Sequence, residues 1–295
     1  MKKVLFCAAA LVMGGMAFGQ ENTSSVTQVG NNNGGSVEQA GFQNIANIDV
    51  EGDRNMTFID QVGTGNDAKS TVTLLNGGSD NVAYTQQFDV GNRAWNTQTG
   101  VDNEARVYQE GQSNASDIFQ DGIGNYAFSG TGAGSSFNYS WISQTSTAQN
   151  ANATVNQDGT EHQSFITQDL SNGNEASVYQ NGDNHESVVS QISGNSNEAE
   201  VNQYGSFNGS LVGQFGDNDY TLVNQDGSGH LSTVDLDTAG SQAFVGQYDN
   251  NHVSSITQRG GSANYADVLQ YGNNQISSVT QNGAANTITV LQADN

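Results

Sequence analysis

The stretch Asn197-Glu198-Ala199-Glu200-Val201-Asn202-Gln203-Tyr204-Gly205 decides the fold. Asn197, Ala199, Val201 and Gln203 alternate with Glu198, Glu200 and Asn202. Period two over seven residues reads as a β-strand with one selected face. The uncharged residues of the first set face inward, and the glutamates between them face water.

Working outward, the same unit recurs along the chain. Aligning on a Gln followed two residues later by Gly gives 24 anchors spaced 11 to 13 residues apart, of which 20 are Gln. The anchors that break the rule are Val50, Leu74, Thr131 and Leu236. Val or Ile stands two residues before the anchor in 21 units, the exceptions being Thr85, Asn96 and Ser129. A small residue stands four before it. Asn stands six before it in 15 units and His in 4. Between strands lie short runs rich in Gly, Asn, Asp and Ser, such as Asn181-Gly182-Asp183-Asn184, which supply the positive φ that tight reversals need. From Ser164 to Ser277 the small position alternates Ser and Ala, broken only at Thr221. The true repeat is therefore a pair of strands of about 22–23 residues, and twelve pairs account for residues 22–292.

One such pair buries too little to fold alone, whereas stacked pairs share a continuous core. The expected fold is all-β: a parallel two-sheet β-solenoid of strand-turn-strand rungs, about 12 in number. At ~4.8 Å per rung the body would be about 58 Å long. A period-six left-handed helix, a coil of three strands and an antiparallel sandwich all fit the spacing less well.

Stacking aligns like side chains in columns. A carboxamide carries both donor and acceptor, so it can bond its copies above and below. The inward ladder is expected at Gln39, Gln61, Gln98, Asn103, Gln109, Gln120, Gln144, Gln157, Gln168 and Gln180. It continues through Gln191, Gln203, Gln214, Gln225, Gln247, Gln258, Gln270 and Gln281. All four histidines, His162, His185, His230 and His252, fall on the leading position of Ser-type strands. There they either replace Asn as corner hydrogen-bonding residues or act as a pH-sensitive column; two imidazoles are an incomplete metal site. The acidic residues are expected to face out, and apolar residues such as Phe165, Leu211, Phe244 and Leu269 to be scattered on the surface.

Residues 1–19 read as a secretion signal. Lys2 and Lys3 precede an apolar run, and Ala17-Phe18-Gly19 is a small-x-small cleavage site. Residues 20–295 then form a single repeat domain. Cleavage removes the one cysteine and leaves 5 Lys+Arg against 30 Asp+Glu, a mature net charge of −25. That charge disfavours nucleic acid. The chain contains no proline, a residue that blocks strand pairing, so its absence suits strands meant to pair.

The repeat resembles the curlin repeat of curli fimbriae, Ser-x5-Gln-x-Gly-x2-Asn-x-Ala-x3-Gln. Gln98-x-Gly100-x2-Asn103-x-Ala105-x3-Gln109 matches from the first Gln onward. Gln28-x-Gly30-x2-Asn33 with Gln39 matches with Gly35 in the Ala position, and Gln258, Gly260, Asn264, Ala266 and Gln270 match with one extra turn residue. The leading Ser is mostly Asn or His here, there are about twelve rungs where the family usually shows roughly five, and no Gly-rich leader precedes the first strand. The resemblance implies a secreted subunit of an extracellular amyloid fibre of the biofilm matrix, a fimbria or pilus mediating adhesion. It also implies partners: other copies of itself, a nucleator subunit, an outer-membrane secretion pore and a periplasmic chaperone.

Strand physics points the same way. The first repeat strand (Asn22, Ser24, Val26, Gln28) and the last (Asn286, Ile288, Val290, Gln292) are full repeat strands, expected to be open edges at which copies join end to end. The competing readings are a monomeric β-solenoid surface binder, either an adhesin or an ice-binding protein, and a minor nucleator. Ice binding would need Thr-x-Thr rows, and only Thr71-Val72-Thr73 and Thr287-Ile288-Thr289 have that form. No nucleophile elbow, phosphate loop or zinc motif is present, so neither an enzyme nor a cofactor is expected.

Overall fold

The computed structural model describes residues 21–73 and 79–294; the signal segment 1–19 lies outside the described residues. Twenty-four strands follow one another. They are β1 (Thr23–Val29), β2 (Gly34–Phe42), β3 (Ile45–Glu51), β4 (Met56–Thr64), β5 (Asp67–Thr73), β6 (Val82–Val90), β7 (Arg93–Val101), β8 (Glu104–Gln109), β9 (Ala115–Ile123), β10 (Tyr126–Thr131), β11 (Tyr139–Gln149) and β12 (Asn152–Thr160). The second half comprises β13 (Gln163–Asp169), β14 (Glu175–Asp183), β15 (Glu186–Ile192), β16 (Glu198–Ser206), β17 (Gly209–Gln214), β18 (Tyr220–Ser228), β19 (Leu231–Ala239), β20 (Gln242–Asn250), β21 (Val253–Ser262), β22 (Tyr265–Tyr271), β23 (Ile276–Asn282) and β24 (Thr287–Ala293).

Odd-numbered strands form one 12-stranded sheet and even-numbered strands the other, each in chain order. Every pairing is parallel, and like positions face one another, as in Ala176↔Ala199, Val178↔Val201 and Gln180↔Gln203. The fold is the expected two-sheet β-solenoid of twelve rungs. The alternation fixes the register, because a one-residue slip would turn every inward side chain to water.

The core is one side chain deep from each sheet. Its small column is Ala or Ser, its next column Val or Ile, and both are buried: Ala153, Val155, Ile166 and Val178 are sealed from solvent. In the Ser-type strands the hydroxyls of Ser116, Ser140, Ser164, Ser187, Ser210, Ser232, Ser254 and Ser277 have no hydrogen-bond partner among the described residues, so this column contributes small size rather than bonding. The apolar core divides into a short cluster around Ala46, Ile48 and Ile59 and a long one running from Ala94 to Val279. The break coincides with Ser70, Thr85 and Asn96, where the Val column turns polar; Asn96 Nδ2 donates to Thr85 Oγ1 at 3.0 Å.

Three expectations are corrected. In β5 the residue level with the Gln column is Val72, which pairs with Val50 and Gln98, not Leu74. The leading residue of that strand is then Asn66, and its Val position is held by Ser70. Not every acidic residue faces out, because Asp219 is buried in the leading column. Surface aromatic residues are clustered rather than scattered: Phe58 and Tyr84 stack at 4.9 Å on one outer face, and Tyr220, Phe244 and Tyr265 follow one another at 5.5 Å.

Candidate self-assembly site: the inward columns and the end strands

Most strands begin on a leading residue whose side chain ties one rung to the next; Ala151, ahead of β12, is an exception. Asn103 shows the pattern. Its Oδ1 accepts the Asn125 N–H of the following rung at 3.0 Å, while its Nδ2 donates to Thr99 O at 2.9 Å and to Gly122 O at 3.2 Å. The amide thus closes its own turn and satisfies a backbone N–H that the turn would otherwise leave unpaired.

The histidines use the same geometry. His162 Nδ1 accepts from His185 N at 3.2 Å, and His185 Nδ1 from Asn208 N at 3.3 Å. His230 Nδ1 accepts from His252 N and His252 Nδ1 from Gln275 N, both at 3.2 Å. Their Nε2 atoms lie 2.6–3.4 Å from the carbonyls of Asp158, Asn181, Asp226 and Tyr248, four residues back. Only a neutral ring with its proton on Nε2 fits both contacts. The four rings pack as two stacks, His162 on His185 at 4.9 Å and His230 on His252 at 5.1 Å. Burial holds His162 and His230 below the ordinary imidazole range and pushes His185 down to about 4.

Asp219 is the residue that sequence reasoning missed. Its Oδ1 accepts Ser241 N at 2.9 Å, as an Asn would. Its Oδ2 takes the place of the donating amide and has no hydrogen-bond partner among the described residues. Burial raises the carboxyl to about 6. The signal was available as the one acidic residue on the leading position of a repeat strand.

At the other end of the strand the glutamines form ladders. In the odd sheet, Nε2 of Gln98, Gln120, Gln144, Gln168 and Gln191 each donates to Oε1 of the next glutamine, up to Gln214, at 2.8–2.9 Å. The buried apolar Leu236 interrupts the ladder, and Gln258 to Gln281 resumes it at 2.7 Å. In the even sheet Gln39, Gln61, Gln87 and Gln109 form one run. After Thr131, a second run passes from Gln157 through Gln180, Gln203, Gln225, Gln247 and Gln270 to Gln292. The same Nε2 also donates across to the facing sheet, as from Gln120 to Glu104 O at 2.9 Å. One side chain therefore joins consecutive rungs and both sheets.

The ladders have a direction: every Nε2 points toward the C-terminal rung. Among the described residues, β1 and β2 at one end and β23 and β24 at the other have no strand on their outer side. Asn22, Ser24, Val26 and Gln28 lie on β1 and its leading turn, and the whole of β1 is exposed. Asn286, Ile288, Val290 and Gln292 lie at the opposite end of the molecule and are half-buried.

A family model for the curlin associated repeat matches residues 30–63, 171–205 and 194–227. The chain carries curlin associated repeats in these segments. The matched segments fall in rungs one to two and seven to nine, and the same inward columns run through the other rungs of the solenoid. No curated protein matches the chain significantly. Among the described residues no three His, Cys, Asp or Glu side chains gather as a metal site.

Proposed function

We propose that this protein is the structural subunit of an extracellular curli-like fibre, made by stacking copies head to tail and serving in matrix formation and adhesion. The observation that carries the reading is the complementarity of the two open ends. If β23 and β24 of one copy pair with β1 and β2 of the next in the register used within the chain, every column continues. Gln281 meets Gln28 and Gln292 meets Gln39, with a free Nε2 hydrogen on one side and an open Oε1 on the other. Gln275, whose Oε1 has no partner among the described residues, meets the leading residue Asn22.

The small column adds a fit of shape. Its last member is Ile288, paired with Ala266, and its first is Gly35, paired with Thr57. Joining the ends sets the largest side chain of that column on the smallest. A Cβ on Gly35 would lie 2.5 Å from Thr57 O, so the hole is enforced from within its own copy.

The experiment is seeded growth of Ile288→Arg protein, with thioflavin fluorescence as the readout. A buried unpaired charge costs several kcal/mol, so the variant is expected to fold as a monomer, with the strand signature in circular dichroism unchanged, and to fail to elongate wild-type seeds. Elongation at the wild-type rate would overturn head-to-tail stacking through β24.

A further inference from the structure

The chain has two tryptophans, and both stand opposite the same residue. Trp95 of β7 and Trp141 of β11 pair in register with Asp117 of β9, which lies between them. The in-register sheet sets their backbones two strand spacings apart, about 9.6 Å along the solenoid axis. Both indoles are unusually open for such large apolar rings, with 42% and 39% of their surface exposed. The short aspartate between two tall rings leaves a notch of about 350 Å³, lined by Trp95, Thr97, Asp117, Phe119, Trp141 and Ser143.

Polar groups gather in and beside this notch. Arg93 Nη2 donates to Asp117 Oδ2 at 2.8 Å and the Tyr139 hydroxyl donates to the same oxygen at 3.2 Å. The Arg93 guanidinium also lies 4.4 Å from the Trp95 ring centre, which steadies that indole. Asp117 Oδ1 and Arg93 Nε have no hydrogen-bond partner among the described residues. Enclosed polar atoms are normally paired, so the ion pair keeps unused bonding capacity beside the notch. The larger trough on the opposite face differs in kind. Its Phe58 and Tyr84 rings stack on each other with planes 10° apart, so each covers one face of the other.

A ligand for the notch must offer flat apolar faces to two indoles and hydrogen-bonding groups to Asp117, Arg93, Thr97 and Ser143 at their edges. Pyranose rings have this character, with C–H groups on their faces and hydroxyls around the rim, and two rings of an extended chain come close to the indole separation. The net charge of −23 works against an acidic polymer. We propose that Trp95 and Trp141, with Asp117 between them, form a binding site for a neutral polysaccharide laid along the solenoid axis. The site lies within one copy and does not depend on polymerisation.

Because the chain has no other tryptophan, intrinsic fluorescence reads the site directly. Hexaoses of β-1,4-linked glucose and of β-1,4-linked N-acetylglucosamine are titrated into the full-length protein. At least one is expected to give a saturable change in emission. Trp95→Ala and Trp141→Ala should each weaken binding about ten-fold or more, the loss of one stacking surface, with the remaining indole still reporting. Phe244→Ala, on the opposite sheet, should bind as wild type and show that trimming a surface ring does not itself disturb the fold. No saturable response to either sugar would overturn the proposal. So would binding by both tryptophan variants within about two-fold of wild type. A double variant that loses only lateral bundling of fibres, in a protein that shows no sugar response, would assign the notch to a second copy instead.

Discussion

At the residue scale, the leading column shows four kinds of side chain performing one task. Asn, His, Asp219 and Ser241 all accept the next rung's N–H, and the first three differ in what they offer four residues back. Asn offers an amide N–H, neutral His offers Nε2–H, and ionised Asp219 offers nothing. The task is therefore pH-dependent in two opposite senses. His162, His185 and His230 are held below the ordinary value of 6.5. A depressed group adds stability above its unfolded value, and that stability is lost as pH falls through the folded value, here from about 6.5 toward about 4 for His185. Protonation would turn Nδ1 from an acceptor into a donor facing another donor. Asp158 and Asp183 near the first stack, and Asp226 and Asp249 near the second, soften the effect without cancelling it. Asp219 is raised from 3.8 to about 6, so its contribution is present in acid and is lost as pH rises through about 6. Replacing all four histidines by Asn should flatten the loss of thermal midpoint between about pH 6.5 and 4. Asp219→Asn should raise stability near pH 7 by about 1–3 kcal/mol, the penalty of one buried unpaired polar atom. Midpoints measured across that range check both: an unchanged acid limb in the His variant, or a destabilised Asp219→Asn, would contradict this account of the column.

At the element scale, the strand repeat is written almost entirely in period-two alternation, which is why strand number, face and parallel order were legible. Where the marker is missing, the register is not. Gln61 and Gln87 are successive Gln anchors of the even sheet, and the odd-sheet strand between them has no Gln at all. Its alignment had to rest on Leu74, while the structure sets Val72 level with Val50 and Gln98. At Val50 and Leu236 a buried apolar residue replaces the self-pairing amide without leaving an unsatisfied atom. Single-position reading also hid the aromatic clusters, since rings that stack across rungs lie more than twenty residues apart in the chain.

The turns carry their own constraint. Gly182 has φ +126°, and a Cβ there would stand 1.9 Å from Gly205 O of the next rung. Gly240, at φ +65°, has nothing within 4 Å. Gly182→Ala should therefore cost clearly more than the ~1 kcal/mol of a simple left-handed alanine, and Gly240→Ala about that amount. Equal losses in urea unfolding would show that backbone crowding between rungs is not what selects glycine.

At the scale of the whole molecule, the twelve rungs behave as one column system with a direction. The apolar core is interrupted at rungs three and four, where Ser70, Thr85 and Asn96 replace Val, and two hydrophobic clusters result. The Gln ladders are interrupted at Val50, Val72 and Leu236 in one sheet and at Thr131 in the other. Rungs three and five carry both kinds of break, Val72 with Ser70 in β5 and Thr131 with Ser129 in β10. The direction of the ladders, Nε2 toward the C-terminal rung, makes the two ends unlike and mutually complementary, and sequence periodicity alone could not reveal that polarity. Head-to-head joining would bring like groups together and would set Ile288 against another Ile288.

The most direct test is cryo-electron microscopy of fibres grown from the mature protein. The account predicts strands perpendicular to the fibre axis at a spacing of ~4.8 Å and an axial repeat of twelve such spacings, about 58 Å. Within it, β24 of one copy should be hydrogen-bonded in parallel to β2 of the next, with Ile288 over Gly35. A subunit rise unrelated to twelve strand spacings, or a junction formed between the outer sheet faces, would contradict it.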